Sequence, residues 1–302
     1  MQTAVIGCGL IGESWAALFL HYGHDVAAWD LSAAKRESFA NRVARLLGQL
    51  ADMEDRQPVS RGALRIEPSL AAAVADVRFV QENAPESIPQ KRALYADIES
   101  ATAVETVIAS STSSLVWSDL ASAMDHPNRF ITAHPFNPPH LMPLVEIYGP
   151  DEEVVARAEA FYRGLDRHTV RLKQEAVGHI ANRLASALWR EAVNIVAAGI
   201  ADVAEVDAAL VHGPGLRWSV VGAHMAYHLG GGPGGIEYYL KHLGPSQERR
   251  WATLGSPRLT PDLCALLVEG VLAEAGARTV AELEAERDAG LRRVLLARGC
   301  VV

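Results

Sequence analysis

The chain has 302 residues, of which 49% are hydrophobic and 21% are charged, and its net charge is −8 at neutral pH. These values are typical of a globular protein with a substantial core, and the acidic balance disfavours nucleic acid or an anionic membrane as a partner. No apolar run is long enough to predict a membrane span. The three cysteines, Cys8, Cys264 and Cys300, are far apart in the sequence, which disfavours a disulfide framework and favours a reducing, cytoplasmic location.

The first half of the chain alternates short β-branched segments with helical patterns. We expect strands at 3–6, 25–29, 77–81, 106–110, 130–133, 144–147 and 168–172, and helices at 11–22, 32–50, 89–98 and 151–165. The polar segment 52–62 predicts a loop between helices. Because strands and helices that alternate in this way form crossover units, residues 1–175 predict an α/β domain with a doubly wound, mostly parallel sheet.

Strand signals almost vanish in the second half of the chain. Helical patterns are found at 178–198, 203–211, 216–228, 236–243 and 261–275. They predict a smaller, all-helical C-terminal domain over residues 176–302. The glycine-rich stretch 229–235 lacks the charged, helix-opening residues of a phosphate cradle, and we expect it to form a tight turn between two helices.

A glycine-rich loop follows the first predicted strand. Gly7, Gly9 and Gly12 form a G-x-G-x-x-G pattern, in which the first glycine permits a tight turn, the second lets the backbone approach a pyrophosphate, and the third lets helix and strand pack closely. The N-terminus of the helix that follows, with Leu10 and Ile11, supplies positive dipole for the phosphates. The pattern predicts a dinucleotide site.

Asp30, at the end of the second predicted strand, would complete this site. Its carboxylate would accept hydrogen bonds from the adenosine ribose hydroxyls, and its charge would repel a 2′-phosphate. We therefore expect NAD rather than NADP as the cofactor. FAD shares the glycine pattern, but the histidine described next favours a nicotinamide.

A second feature is a proline-rich segment that begins at His134. It has four prolines in ten residues, which excludes a helix, and Glu146 lies twelve residues after the histidine. Oxidation of a secondary alcohol needs a group that takes the hydroxyl proton, and imidazole suits that role at neutral pH. A carboxylate on the other ring nitrogen would fix the tautomer and stabilise the imidazolium. The alternative is a structural histidine that caps a strand.

Three segments resemble, in order and in spacing, the active-site segments of the 3-hydroxyacyl-CoA dehydrogenase superfamily. They are SSTSSL at 110–115, HPFNPPHLMPLVE at 134–146 and GHIANRL at 178–184. The resemblance implies a Rossmann domain, a helical domain that forms a homodimer, and NAD-linked oxidation of a 3-hydroxy group. It implies that His134 is the general base and Glu146 its partner, and that Ser113 and Asn182 lie near the substrate oxygen.

The same resemblance places Glu86 and Lys91, in PESIPQK, near the cofactor. Ser113 has a simpler alternative, because it and its hydroxyl-bearing neighbours are also common in turns. A non-enzymatic alternative is a crystallin-like structural protein or an NAD-binding protein on the same scaffold. NADH formation with a 3-hydroxy acid would distinguish the two classes.

The helical half is most similar to the carnitine dehydrogenase branch of the superfamily, through GPGLRW at 213–218 and YHLGGG at 227–232. This similarity implies oxidation of L-carnitine to 3-dehydrocarnitine. The NPP at 137–139 is more similar to the L-gulonate 3-dehydrogenase/lambda-crystallin branch. L-Gulonate and a 3-hydroxyacyl-CoA, such as 3-hydroxybutyryl-CoA, are therefore alternative substrates.

A quaternary ammonium such as that of carnitine is recognised by aromatic faces, and a carboxylate by arginine. Trp218, Tyr227 and Tyr238 are candidates for the first contact, and Arg217 for the second. Each of these residues could equally belong to the core or to a subunit interface. We expect no metal site, since the histidines lack the H-E-x-x-H arrangement and cysteine ligands.

Overall fold

The structure is a computed structural model that describes residues 1–52 and 61–299, so most of the predicted loop at 52–62 and Cys300 lie outside the described residues. Among the described residues, contacts divide the chain into two compact units. The first consists of Met1–Arg183 and the chain from Gly290 onward, and the second of Leu184–Ala289. The domain limits at 175 and 176 stay a prediction. Within the described ranges, no helix has the length and apolar character needed to cross a membrane.

The first unit contains a single sheet. Its strands are β1 (Gln2–Ile6), β2 (Asp25–Trp29), β3 (Leu64–Ile66), β4 (Phe79–Glu82), β5 (Val107–Ser110), β6 (Phe130–Pro135), β7 (Leu144–Tyr148) and β8 (His168–Arg171). Their order is β3-β2-β1-β4-β5-β6-β7-β8. The strands from β3 to β6 are all parallel, β7 is antiparallel to β6, and β8 is parallel to β7. The predicted mostly parallel, Rossmann-type sheet is confirmed.

Helices cover both faces of this sheet. They are α1 (Leu10–His21), α2 (Ala33–Ala51), α3 (Leu70–Val74), α4 (Ile88–Ala101), α5 (Trp117–Ala121) and α6 (Glu152–Arg163). Successive strand residues point to opposite faces, so Val5 of β1 joins a core with Trp15 of α1 and Tyr162 of α6. Ile6 joins the other core, with Tyr95 of α4. The sheet is therefore doubly wound.

The second unit is helical. The helices of the C-terminal half are α7 (Ala181–Ala197), α8 (Val203–His212), α9 (Pro214–Trp218), α10 (Ala223–Gly230), α11 (Gly235–Trp251), α12 (Pro261–Ala275) and α13 (Val280–Ala297). The first turn of α7 and the last part of α13 belong to the first unit. The all-helical character that the sequence predicts for this half is confirmed.

The structure corrects several predicted elements. Residues 216–228 form two helices rather than one, because α9 ends at Trp218 and Gly222 caps the start of α10. Helix α11 continues through Pro245 to Trp251 instead of ending at 243. The elements β3, α3, α5 and α13 had not been predicted, and the chain after 62 enters a strand and not a helix. The glycine-rich stretch forms the expected turn, with a 3-10 helix at Gly232–Gly234.

Candidate active site

The residues predicted to form the site follow the carboxyl ends of parallel strands. Gly7 follows β1, Asp30 follows β2, and Ser113 lies shortly after β5, while His134 is the penultimate residue of β6. Ligands of open α/β sheets bind at this edge, next to the point where the strand order reverses. Here the order reverses between β1 and β4. The topology therefore brings distant segments of the chain to one place.

The glycine loop has the backbone that a dinucleotide needs. Gly7 has a positive φ of 96°, and a Cβ there would lie 2.7 Å from the carbonyl oxygen of Asn83. A Cβ on Gly12 would lie 1.9 Å from the carbonyl oxygen of Gly7, so this position requires close packing of helix and strand. A Cβ on Gly9, at the N-cap of α1, would meet nothing within 4 Å. The open space at Gly9 fits a pyrophosphate at the N-terminus of α1.

Asp30 connects the end of β2 to this loop. Its Oδ2 accepts a hydrogen bond from the Cys8 amide and its Oδ1 from the Ser32 amide, both at 2.8 Å. Burial, together with the charge of Asp30, raises the pKa of the Cys8 thiol to about 12. The thiol therefore stays protonated and is no candidate nucleophile.

A cavity of about 380 Å³ opens beside the loop. Its lining combines polar side chains from the ends of β4, β5 and β6 with the start of α7: Ile11, Asn83, Ala84, Pro85, Glu86, Ser111, Ser113, His134, Pro135, Phe136, Asn137 and Asn182. Five of these lining residues are predicted site residues: Ile11, Glu86, Ser113, His134 and Asn182. Leu10, also predicted, is 66% exposed at the start of α1.

Asn83, Ser111 and Asn137 line the cavity although the sequence analysis did not select them. Asn83 and Ser111 each come directly after a strand that was predicted. Their position at the carboxyl edge of the sheet was the signal that could have identified them. No lysine or arginine in the described part of the chain is among the lining residues.

His134 and Glu146 face each other across the antiparallel pair of β6 and β7. Residues directly opposite in such a ladder have side chains on the same face of the sheet. His134 Nδ1 lies 2.8 Å from Glu146 Oε2. The two residues are 5% and 1% exposed. The sheet itself therefore brings the two side chains together.

Hydrogen bonds keep Glu146 ionised in spite of its burial. Its Oε1 accepts from the backbone amides of Ile180, at 2.8 Å, and Ala181, at 2.9 Å. Burial raises the pKa of this carboxyl, but the hydrogen bonds from His134 and from the two amides outweigh burial, so the net pKa lies below the ordinary value. A carboxylate can only accept, so His134 must carry its proton on Nδ1.

The proton on Nδ1 leaves Nε2 of His134, on the other side of the ring, as a hydrogen-bond acceptor. The Nδ2 atom of Asn182 lies 3.5 Å from Nε2 and donates to the carbonyl oxygen of Ser113 at 3.2 Å. The Ser113 hydroxyl donates to Glu86 Oε1 at 2.9 Å, and Thr112 donates to the same carboxylate. The structure thus brings four predicted side chains, those of His134, Asn182, Ser113 and Glu86, to one cavity wall.

Lys91 has a different environment. It is 1% exposed, and its Nζ atom lies 2.8 and 3.0 Å from the two carboxylate oxygens of Glu82. Tyr95 and Ser110 donate to the same carboxylate. Lys91 is not among the residues that line the cavity. Its contact with the cofactor stays a prediction.

His179 is a buried neighbour of His134 that the sequence analysis missed. The ring centroids are 4.8 Å apart at 78°, in an edge-on arrangement. His179 is 3% exposed, and among the described residues neither ring nitrogen has a hydrogen-bond partner. Burial, and then the proximity of His134, lowers the pKa of His179. A neutral imidazole therefore packs against His134.

The four predicted substrate residues belong to the second unit and are not among the lining residues of this cavity. Arg217 and Trp218 lie on α9, Tyr227 on α10 and Tyr238 on α11. Tyr227 packs on Tyr239, with ring centroids 5.1 Å apart, and Tyr238 stacks on His242 at 4.0 Å. Histidine, cysteine, aspartate and glutamate residues form no cluster that could hold a metal ion within the described ranges.

The chain is similar to one known protein family over most of its length. Residues 2–175 match the 3-hydroxyacyl-CoA dehydrogenase NAD binding domain, and residues 178–256 match the C-terminal domain of the same family. An L-carnitine dehydrogenase of Streptomyces griseus is 42% identical over 301 residues, which cover 99% of this chain and 90% of the relative. One of Pseudomonas aeruginosa is 38% identical, covering 97% of this chain and 92% of the relative. The predicted similarity to carnitine dehydrogenases is confirmed.

Solved structures show the same fold. A 5-formyl-3-hydroxy-2-methylpyridine 4-carboxylic acid 5-dehydrogenase, described as an NAD⁺-dependent dismutase, matches 99% of this chain and 98% of its own with a TM-score of 0.77; at 24% identity it supports the fold alone. The 3-hydroxybutyryl-CoA dehydrogenase of Escherichia coli K12 is 27% identical, has a TM-score of 0.62, and covers 70% of this chain and 46% of its own. With the glycine loop and the histidine cavity at one edge of the sheet, the matches to the two family domains and to the L-carnitine dehydrogenases establish that the chain belongs to the 3-hydroxyacyl-CoA dehydrogenase family and is an NAD-dependent oxidoreductase.

Proposed function

We propose that this protein oxidises the 3-hydroxyl group of a small 3-hydroxy acid, with L-carnitine as the substrate and 3-dehydrocarnitine as the product. The observation that carries the proposal is the His134–Glu146 pair, in which Glu146 holds the Nδ1 side of a histidine that lines the cavity beside the glycine loop. The relatives named L-carnitine dehydrogenase, at 35–42% identity over nearly the whole chain, support the choice of acid.

His134 acts as the general base in this proposal. Its Nε2 lone pair takes the proton of the substrate hydroxyl, and the ionised Glu146 stabilises the positive charge that the ring then carries. The substrate oxygen accepts hydrogen bonds from the second N–H of Asn182 Nδ2, which lies 3.5 Å from Nε2, and from the Ser113 hydroxyl, which turns from Glu86 to the substrate. Bound NAD supplies the acceptor for the hydride that leaves carbon 3.

The charge of the cavity wall favours a cationic substrate. Glu86 contributes a carboxylate, and no described lysine or arginine lines the cavity. A trimethylammonium group would be attracted by this wall, whereas a substrate with several negative charges would be repelled. L-Carnitine carries such a group, and L-gulonate does not.

Aromatic side chains and one arginine of the second unit are proposed as substrate contacts. Trp218, Tyr227 and Tyr238 are 39%, 41% and 51% exposed, so their ring faces are partly free. A cation over an aromatic face gains roughly 0.5–2 kcal/mol. Arg217 is proposed to pair with the substrate carboxylate.

We also propose that the protein is a homodimer. Large apolar side chains of the second unit are unusually exposed in the single chain, including Trp189 at 59%, Val211 at 61%, Leu216 at 64%, Leu240 at 61% and Trp251 at 65%. Extensive apolar exposure of this kind marks an interaction surface. Sedimentation velocity is expected to give twice the mass of the chain, and a monomer would contradict this part of the proposal.

The function is tested with a panel of three substrates: L-carnitine, L-gulonate and 3-hydroxybutyryl-CoA. With NAD present, kcat/KM measured by NADH formation is expected to be highest for L-carnitine. A higher value for the CoA ester or for L-gulonate would replace the proposed substrate. No turnover with any 3-hydroxy acid, in a protein that binds NAD, would favour the non-enzymatic alternative.

The role of His134 has its own test. His134→Gln removes the base but keeps a side chain of similar reach, and kcat is expected to fall by about 10²- to 10⁴-fold. NAD affinity, measured by calorimetry, should change by less than a few-fold. Near-normal turnover in this variant would make His134 a structural residue.

A further inference from the structure

Four buried or partly buried side chains form a continuous chain of hydrogen bonds that ends at the cavity. The Tyr162 hydroxyl on α6 donates to Gln81 Oε1 at 2.6 Å, and Gln81 Nε2 donates to Ser111 Oγ at 2.9 Å. Ser111 Oγ in turn donates to Asn83 Oδ1 at 2.7 Å. Tyr162 and Gln81 are both fully buried and lie outside the cavity lining, which Ser111 and Asn83 share.

The direction of this chain is fixed at its cavity end. The Asn83 Nδ2 group faces two acceptors, the carbonyl oxygens of Ile6, at 3.3 Å, and Gln81, at 3.0 Å. Its Oδ1 must therefore face Ser111, and the single Ser111 hydroxyl proton must go to Asn83. Trp15 Nε1, which can only donate, lies 3.2 Å from Ser111 Oγ and uses one of its lone pairs.

The other end of the hydrogen-bond chain, at Tyr162, decides whether Ser111 can keep its proton directed at Asn83. With its proton given to Asn83, Ser111 can only accept from Gln81, so the Gln81 amide must point its Nε2 at Ser111 and its Oε1 at Tyr162. Burial raises the pKa of Tyr162, so its hydroxyl keeps the proton that it donates to Oε1. Without that donor, only the hydrogen bond from Nε2 to Ser111 still orients the Gln81 amide, and in the flipped orientation its oxygen would compete with Asn83 for the Ser111 proton.

Asn83 matters for the cofactor because it adjoins the glycine loop. The backbone N–H of Asn83 donates to the carbonyl oxygen of Ile6 at 2.7 Å. Its carbonyl oxygen lies where a Cβ on Gly7 would come within 2.7 Å. A shift of Asn83 therefore changes both the cavity wall and the turn that follows β1.

We propose that Tyr162 is a positioning residue for NAD: by donating to Gln81, it holds the Gln81 amide in the orientation that reserves the Ser111 proton for Asn83. This inference rests on the proposed binding of NAD at the glycine loop, beside the cavity. It does not depend on which acid is oxidised, and its readout is NAD binding rather than turnover.

The test compares two variants that break the same hydrogen bond from opposite sides. Tyr162→Phe leaves the Gln81 amide held only by its hydrogen bond to Ser111, and the dissociation constant of NAD is expected to rise about fivefold, the factor for one net hydrogen bond. Gln81→Met removes the competing oxygen altogether, so NAD affinity is expected to stay within about twofold. Both variants should lower the unfolding temperature, since each leaves or loses a buried polar partner.

A third variant shows whether Tyr162 acts through Ser111. In a Ser111→Ala background no proton remains to be redirected, so adding Tyr162→Phe should weaken NAD no further. Tyr22→Phe is the matched control, because the Tyr22 hydroxyl bonds Asp166 at 2.7 Å and takes no part in the chain. It should bind NAD like the unaltered protein.

Three results would overturn the inference. The first is unchanged NAD affinity in a folded Tyr162→Phe protein. The second is an equal loss of affinity in Tyr162→Phe and Gln81→Met, because the lower stability that both variants share would then explain the lost affinity. The third is a full Tyr162→Phe effect in the Ser111→Ala background. Should Tyr162→Phe not fold, Gln81→Met alone carries the test, and a fivefold loss of NAD affinity in that variant would refute the proposed direction.

Discussion

Replacement of Glu146 by glutamine isolates the part that its charge takes in the proposed chemistry. The amide keeps one oxygen, which can go on accepting from the Ile180 and Ala181 amides at 2.8 and 2.9 Å. Its NH₂ group would then take the position of Oε2, 2.8 Å from His134 Nδ1. An NH₂ group donates, so Nδ1 must accept and the ring proton moves to Nε2. The variant keeps the packing and reverses the tautomer.

The expected size of the effect follows from this reversal. With a proton on Nε2, His134 can no longer accept the substrate proton, and the charge that would stabilise an imidazolium is gone. General-base catalysis is worth about 10²- to 10⁴-fold, and a carboxylate-to-amide change that imposes the wrong tautomer on a catalytic histidine costs about 10⁴-fold. We therefore expect kcat to fall by about 10³- to 10⁴-fold, because base and charge are lost together.

The assay is the initial rate of NADH formation at saturating NAD and L-carnitine, together with the affinity for NAD by calorimetry. NAD affinity is expected to change by less than a few-fold. Glu159→Gln is the control, since Glu159, on α6, is also buried but pairs with Arg171 of β8 at 2.7 Å. A Glu146→Gln variant that binds NAD and keeps kcat within tenfold of the original would refute the reasoning.

Three further predictions concern the glycine loop, Asp30 and His179. Gly9→Ala should keep the unfolding temperature but weaken NAD binding roughly tenfold, because the added methyl group would lie in the open space that the pyrophosphate needs. Gly12→Ala should instead lose about 1–3 kcal/mol of stability, because the added methyl group clashes with the carbonyl oxygen of Gly7. Asp30→Asn should lower the affinity for NAD more than the affinity for NADP in calorimetric titrations, because the charge that repels a 2′-phosphate is lost. His179→Phe should flatten the dependence of unfolding free energy on pH below 6.5, as measured by urea unfolding.

The sign of the last effect follows from the lowered pKa of His179. Below pH 6.5 the imidazole of the unfolded chain takes up a proton, while that of the folded chain does not until the pH passes its lower pKa. The folded state therefore loses stability as the pH falls through this interval. A phenylalanine cannot titrate, so an unchanged pH dependence in His179→Phe would show that the loss has another source. For the two glycine variants, equal losses of stability would contradict the reasoning.

The parts of the fold that are regular over many residues could be predicted from the sequence. β2 and α12 have the predicted bounds, since a buried strand and a capped, periodic helix leave strong local patterns. β3 was missed because it has three residues, lies at the sheet edge and is mostly exposed, so it shows no alternation. Helix α11 was predicted too short because Pro245 is a strong helix breaker that this helix accommodates.

The antiparallel direction of β7 was predictable in principle. Parallel strands need a crossover of about a dozen residues or more, and the connection 136–143 is too short for one. His179 could not have been found in this way. Its position beside His134 depends on a backbone turn with a positive φ of 51° and on the approach of the segment before α7 to β6. Neither leaves a periodic signal in the sequence.

The pairing of His134 with Glu146 across β6 and β7 determines where this region of the chain can change in length. Side chains alternate between the two faces of a strand, so one residue inserted before Glu146 within β7 would turn that carboxylate away from His134. An insertion between Phe136 and Pro143 would lengthen the connection and leave the ladder intact. The proline-rich connection can therefore be lengthened to reshape the cavity, provided that the residue count inside the two strands is kept.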